Sequence, residues 1–196
     1  MMTSVSALNH VYKIGIFGNH ENKNEENLLK VLEIKNLLIV QIVQYKNSTI
    51  SFENIDIDNL KLKNEPMSVV SNSNTRILWN GPKNWLLVST KKDLLKEISK
   101  VFKETDFAVT DLSHSRAIIE IEGSDAIEVL KKGCPFNFNI LEKNQSINST
   151  YNGIAFTVDM LDDNPNKIRL FALRSFGESF YHSITDASLE FGYRAL

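Results

Sequence analysis

Residues 109–116 read VTDLSHSR and bring together the residue types of a hydrolase triad, namely Asp111, Ser113, His114 and Ser115. A Ser-His-Asp triad needs the base within hydrogen-bond reach of the serine and the acid behind the base. Neighbouring side chains of a strand point to opposite faces, so Ser113 and His114 diverge. We interpret the segment as the end of a strand, where aspartate and serine turn the chain. A small hydrolase using Ser113 and His114 is the alternative.

Other chemistry-bearing residues do not form a recognisable site in the sequence. Cys134 follows a predicted helix C-terminus, where the helix dipole opposes ionisation of a thiol, and we expect a buried, unreactive side chain. The segment GIFGNHE at 15–21 lacks the third glycine of a dinucleotide-binding loop. The histidines show no metal-ligand spacing with each other or with the cysteine; they are His10, His20, His114 and His182.

Two tryptophans and three arginines are the candidates for contacts with a partner. Trp79 and Trp85 flank a Gly-Pro turn and either cover the core or anchor an interface, because tryptophan is enriched in binding hot spots. The chain has 17 lysines and 5 arginines, so an arginine on a strand suggests a bidentate or stacked role. Such a role is served equally by an internal salt bridge or by a partner carboxylate. The arginines on or beside predicted strands are Arg116, Arg169 and Arg174.

Composition indicates an ordinary soluble globular protein. The 196 residues are 42% hydrophobic and 23% charged, and the net charge of −2 provides no basic field for nucleic acid. A single cysteine allows no internal disulfide, and the N-terminus lacks the pattern of a signal peptide. The apolar run LLIVQIV at 37–43 is too short to span a bilayer. We expect a cytoplasmic protein without nucleic-acid or membrane partners.

The positions of apolar residues and turn signals predict the elements that must hold these residues. A hairpin over TRILWN-GP-KNWLLVS is predicted from its Gly-Pro break. Two helices are predicted to begin with capping boxes, one at Asp125 with Glu128 and one at Ser175 with Glu178. The segment between the helix at 124–133 and residue 150 is predicted as a loop. The other predicted elements are strands at 37–45, 107–112 and 116–123, a helix at 91–104, and a hairpin around 162–166.

The order of elements from residue 75 onward is β-β-α, repeated three times. Hairpins with helices gathered on one face predict an α+β fold with a mostly antiparallel sheet. We expect residues 1–30 to form an N-terminal arm and residues 31–196 to form a single α+β domain.

Several stretches resemble one family, the gamma subunit of heterotetrameric sarcosine oxidase. They cover about residues 75–190 and read LWNGPKNWLLVS at 78–89, VTDLSHSRAIIEIEGSDAIEVLKKGCPFNFN at 109–139 and LFALRSFGESFYHSITDA at 170–187. The start SALNH at 6–10 is also similar to the family. The chain departs from the family's pattern at Lys83-Asn84, where an acidic residue is usual, and at Asn137, where aspartate is common.

The resemblance implies a fold like the folate-binding domain of the glycine-cleavage aminomethyltransferase. It implies an oxidoreductase complex that demethylates sarcosine to glycine and passes the one-carbon unit to tetrahydrofolate. FAD, FMN, NAD, zinc and tetrahydrofolate are expected in the other subunits, with partners of the alpha, beta and delta types. This chain is then expected to carry no catalytic, cofactor-binding or metal residue, and an interface is expected at Trp79, Trp85, Arg116 and Arg174.

Two alternatives remain beside that expectation. One is a free-standing folate-binding or aminomethyl-transfer protein, which the same fold would suit. The other is the equivalent subunit of a related complex, such as N-methylglutamate dehydrogenase.

Overall fold

The structure is a computed structural model that describes residues 5–21 and 23–196. Within these residues, no helix combines the length and the apolar character that crossing a membrane requires. The elements in chain order are β1 (Gly15–Phe17), β2 (Leu29–Glu33), β3 (Leu38–Gln44), β4 (Asp56–Ile57), β5 (Leu60–Lys61), β6 (Val69–Ser71), β7 (Thr75–Gly81), β8 (Asn84–Ser89), α1 (Leu94–Val101), β9 (Phe107–Asp111), β10 (Arg116–Glu122), α2 (Ala126–Lys131), β11 (Ser146–Tyr151), β12 (Ile154–Asp163), β13 (Asn166–Leu173), α3 (Gly177–Ser188) and β14 (Tyr193–Ala195).

Contacts within the chain divide it into two compact units. The first unit contains the residues up to Lys35 together with 115–143 and 148–196, and the second contains 36–114 and 144–147. Of the predicted N-terminal arm over 1–30, residues 5–21 and 23–30 belong to the first unit, and the other residues lie outside the described ones. The two units divide the range 31–196 between them. A single domain over 31–196 stays a prediction.

A seven-stranded sheet forms the first unit, in the order β1-β14-β2-β10-β13-β12-β11. The pairs β1–β14, β2–β10, β10–β13 and β12–β13 are antiparallel, and β14 pairs with β2 in parallel. Alternate residues of β10 and β13, such as Ile119 and Leu170, are fully buried, and α3 packs on both strands. The opposite face carries a row of ion pairs, in which Glu120 lies directly across from Arg169.

A five-stranded antiparallel sheet forms the second unit, in the order β6-β7-β8-β3-β9, with the small hairpin β4–β5 beside it. The helix α1 presents Leu94 and Ile98 to the core, while Lys96 and Glu97 between them are exposed to solvent. This alternation at helical spacing is what the sequence predicts for residues 91–104.

Most predicted elements are present, and the α+β class with mostly antiparallel sheet is confirmed. The loop predicted up to residue 150 is wrong, because Ser146–Tyr151 forms β11. Asn152 and Gly153 both have positive φ, 48° and 83°, as the two-residue turn of a hairpin requires. The polar composition of β11 hides it, since only alternate residues of an edge strand face a core.

The second predicted ββα unit is also different in the structure. The strands β9 and β10 do not pair with each other, because β9 pairs with β3 whereas β10 pairs with β2 and β13. Strand pairing depends on partners distant in sequence, which the local pattern does not specify.

Both predicted capping boxes are wrong. Asp125 precedes α2, but its φ of −92° and ψ of 5° are not the extended conformation of a capping residue, and its side chain caps no backbone amide. Ser175 lies inside a 3₁₀ turn, Arg174–Phe176, and α3 begins only at Gly177. The ideal Cβ position of Gly177 lies 3.0 Å from Cβ of Ala117 on β10, so the start of α3 lies close to the sheet.

Candidate assembly surface

The segment VTDLSHSR ends a strand and turns the chain, as the sequence predicts. Strand β9 ends at Asp111, whose Oδ1 accepts hydrogen bonds from the amide (2.9 Å) and the hydroxyl (2.6 Å) of Ser113. The Ser113 hydroxyl in turn accepts from the amide of Ile39 on β3, at 3.0 Å. The serine thus joins the end of β9 to the neighbouring strand.

The same contacts do not form a hydrolase triad. The hydroxyl proton of Ser113 is donated to Asp111 and not to an imidazole, so no base lies between serine and acid. In the parts of the chain that the structure describes, His114 forms no hydrogen bond, and it acts on Asp111 only through its charge. Burial raises the pKa of Asp111, but the two Ser113 hydrogen bonds and the His114 charge outweigh it, so this pKa lies below its ordinary value.

The fingerprint KKGCP at 131–135 has a packing role in the first unit. Lys132 Nζ donates to the carbonyl of Ala187 (2.7 Å), pairs with Glu190 (2.6 Å) and lies 4.5 Å from the ring centre of Phe191. The lysine therefore ties the end of α2 to the last turn of α3, where a cation also suits the helix dipole.

Cys134 is buried and its thiol donates to the hydroxyl of Ser149 at 3.2 Å. The sequence predicts this buried thiol from its place after a helix C-terminus. Since Ser149 lies on β11, the fingerprint connects α2 to that strand as well as to α3.

The two candidate tryptophans lie in the second unit, on the hairpin β7–β8. Trp85 is fully buried, its ring lies 5.1 Å from that of Phe52, and its Nε1 donates to the carbonyl of Lys63 at 2.6 Å. A fully buried indole presents no surface, so of the two roles the sequence left open, core is the one that the structure shows for Trp85. Trp79 is half-buried, and its Nε1 donates to Oδ1 of Asn64 at 3.3 Å.

Of the three candidate arginines, one has an ion pair within the part of the chain that the structure describes and two do not. Arg169 donates through Nε (3.1 Å) and Nη2 (2.9 Å) to Oε2 of Glu120, which is the internal salt bridge that the sequence left open. Among residues 5–21 and 23–196, Arg116 donates only to the carbonyl (3.3 Å) and hydroxyl (3.2 Å) of Ser115. Within the same described residues, Arg174 donates only to the backbone carbonyl of Val5.

Arg116 and Arg174 lie together at one end of the seven-stranded sheet. Arg116 begins β10 directly opposite Leu173, the last residue of β13, and the amide of Arg174 donates to the Ser115 carbonyl at 2.9 Å. Residues directly opposite in an antiparallel pair project from the same face. We call this group the arginine patch; it comprises Val5, Arg116, Leu173, Arg174 and Phe176.

The sequence identifies the two arginines of the patch but not its apolar members. Val5, Leu173 and Phe176 are 55%, 43% and 49% exposed. One feature of the sequence could have identified Leu173 and Phe176 as exposed. Both residues precede α3, so neither belongs to the apolar face of that helix.

The described residues, 5–21 and 23–196, contain no cluster of three or more His, Cys, Asp or Glu side chains that could hold a metal ion.

Comparison with solved structures defines the class of fold. The chain superposes with a TM-score of 0.68 on the glycine cleavage system aminomethyltransferase T from Bartonella henselae, at 11% identity, over 99% of this chain and 60% of that one. It superposes with a TM-score of 0.80 on a chain of heterotetrameric sarcosine oxidase from Corynebacterium sp. U-96 in complex with pyrrole 2-carboxylate. That match has 22% identity and covers 95% of both chains. The fold is therefore the aminomethyltransferase-like fold that the resemblance implied.

Sequence comparison gives a more particular relative. The chain is 30% identical over 122 residues to the sarcosine oxidase subunit gamma of Corynebacterium sp. (strain U-96). The match spans 61% of this chain and 58% of that relative's length. No family model matches the chain. The resemblance to the gamma subunit of sarcosine oxidase, drawn from the sequence, is confirmed.

Proposed function

We propose that this protein is the gamma subunit of a heterotetrameric sarcosine oxidase and supports assembly of that flavoprotein complex. The complex oxidatively demethylates sarcosine to glycine. The observation that carries the proposal is the similarity to a named gamma subunit, 30% identical over 122 residues. The superposition over 95% of both chains on a chain of such a heterotetramer supports it.

The proposal assigns the chemistry to the other subunits. The alpha, beta and delta subunits hold FAD, FMN, NAD, zinc and tetrahydrofolate, and this chain supplies no catalytic residue. The VTDLSHSR geometry supports this assignment, because the Ser113 hydroxyl donates its proton to Asp111 and not to a base, and it accepts from the amide of Ile39. The complex is then a cytoplasmic oxidoreductase in which this chain has a structural role.

An affinity pull-down of the tagged full chain from its native cell extract tests the proposal. We expect three further subunits on a gel and flavin absorbance in the eluate, and the tag alone as control retains neither. A colourless eluate without partners would overturn the assignment. Substrate profiling of the recovered complex separates sarcosine oxidase from a related N-methyl amino acid dehydrogenase.

A free-standing folate-binding or aminomethyl-transfer protein is the second candidate. The observation that favours it is the superposition of 99% of this chain on aminomethyltransferase T. The chain matches only 60% of that enzyme, however. Calorimetry of the isolated chain with tetrahydrofolate separates the two, because heat of binding is expected only for the second candidate.

A further inference from the structure

The arginine patch lacks a counter-ion in the part of the chain that the structure describes. Arg116 is half-buried, and this burial lowers the pKa of its guanidinium. Removing a cation from water without a paired anion is unfavourable. Arg169 in the same sheet shows the usual solution, with two of its nitrogens on one Glu120 oxygen.

Three exposed apolar residues lie next to these two cations along the chain, across the strand pair or through a backbone contact. Leu173 and Phe176 lie at the two ends of the 3₁₀ turn that contains Arg174, and Val5 is held to that arginine by its carbonyl. Isolated exposed apolar residues are common on protein surfaces. Three of them beside two arginines without acidic partners have the composition of an interface centre, in which aromatic residues and arginine are enriched.

The chemistry of the patch indicates what covers it. A guanidinium is a planar fork of N–H donors that matches a carboxylate or a phosphate through two hydrogen bonds. The apolar rim favours a folded protein surface over a free ion, because Leu173 and Phe176 gain by burial only against other apolar groups.

We propose that the arginine patch is the surface through which this chain binds a partner subunit, by pairing Arg116 and Arg174 with carboxylates and burying Phe176 and Leu173 against apolar side chains. This inference rests on the proposed function, since it names the surface used in the complex. Binding brings a carboxylate to a half-buried guanidinium and removes the phenyl ring from water in the same step.

The experiment compares variants of the tagged full chain in binding the flavin-containing subunits recovered with the wild-type chain. We expect Arg116→Gln and Phe176→Ser each to raise the Kd by about 30-fold, the lower limit for an interface hot spot. Arg116→Lys keeps the charge but loses the fork, and we expect an intermediate increase. Melting temperatures establish that each variant is folded, and Phe176→Ser keeps the test valid if Arg116→Gln unfolds the chain.

Two variants serve as matched controls. Ile140→Ser changes an apolar residue that is 56% exposed in the same unit, and Arg194→Gln removes an arginine whose partner is Glu25. We expect both controls to bind as tightly as the wild type.

The outcomes distinguish a failure of the patch proposal from a failure of the proposed function. If the wild type binds the subunits and the patch variants bind equally well, the patch proposal is overturned and the proposed function stands. If the wild type binds no flavin-containing subunit, both fall. Phosphatase treatment of the subunits is expected to leave binding unchanged, and a loss of binding would replace the carboxylates by phosphates and overturn the proposal.

Discussion

Gly133 lies directly against the ring of Tyr151, and a Cβ atom at Gly133 would lie 2.7 Å from ring carbons Cε1 and Cζ. The ring has no freedom to move away, because its hydroxyl donates to the carbonyl of Val129 at 2.9 Å and its edges pack on Phe156 and Phe180. The burial raises the pKa of Tyr151 to about 12. The glycine of KKGCP is thus required by close packing in the core of the first unit.

The first prediction concerns this contact. We expect Gly133→Ala to lower the free energy of unfolding by about 1–3 kcal/mol, the usual cost of overpacking a core. Urea unfolding measures it. Gly153→Asn is the control for backbone strain without crowding, since nothing lies within 4 Å of a Cβ there but its φ of 83° strains any side chain, asparagine least. A Gly133→Ala protein as stable as the wild type would contradict the packing argument.

The second prediction concerns the Glu120–Arg169 pair. We expect Arg169→Leu to destabilise the protein by about 3 kcal/mol, because it leaves a buried carboxylate with Lys167 as its remaining cation. Lys131→Leu, which removes an exposed pair with Glu128, is expected to cost less than about 0.5 kcal/mol. Chemical denaturation of the two variants measures the difference. Equal losses in the free energy of unfolding would show that the burial of Glu120 does not determine the cost of removing its partner.

The third prediction is a pH dependence centred on Asp58 in the second unit. Hydrogen bonds from Lys91 (2.6 Å) and Thr75 (2.6 Å) lower the pKa of Asp58 below its ordinary value. A folded-state pKa below the unfolded one stabilises the fold above the unfolded pKa of about 4, and this contribution disappears as the pH falls through the folded pKa.

Asp58→Asn isolates that carboxylate, because the φ of 51° at residue 58 also suits asparagine. We expect the wild type to melt above the variant from pH 5 to 7 and the gap to close below pH 4. Melting temperatures of both proteins between pH 3 and 7 provide the test. A gap that is constant with pH would exclude a charge-dependent role for Asp58.

The fourth prediction distinguishes a structural from a catalytic Ser113. We expect Ser113→Ala to destabilise the chain by about 1 kcal/mol, because the amide of Ile39 loses its acceptor. A fluorophosphonate probe should not label Ser113 in the wild type, since no base activates its hydroxyl. Labelling that disappears in Ser113→Ala would support the hydrolase alternative.

The fifth prediction tests the single domain expected over 31–196. The two tryptophans, Trp79 and Trp85, lie in the second unit and the one cysteine, Cys134, lies in the first. Tryptophan fluorescence and thiol reactivity therefore follow the two units separately in the unmodified chain. We expect both probes to give one denaturation midpoint, as a single cooperative domain would. Separate midpoints would show two domains.

Local signals in the sequence predict much of the fold. The Gly-Pro break between two apolar runs predicts β7 and β8, and the helical spacing of the apolar residues in 91–104 predicts α1. The Asn152-Gly153 turn carries an equally strong signal, but the polar strand before it conceals the hairpin. The capping boxes fail because a spacing of residue types does not specify the dihedral angles of the first turn.

The sequence by itself determined the α+β class, the resemblance to a gamma subunit and the strand end at VTDLSHSR, because each depends on neighbours along the chain. Only the tertiary structure decided that Trp85 is core and that Arg169 has an internal partner, whereas Arg116 and Arg174 have no acidic one among the described residues. Five arginines look alike in a sequence. Which of them finds a carboxylate depends on the register of strands distant along the chain, and that register is set by packing.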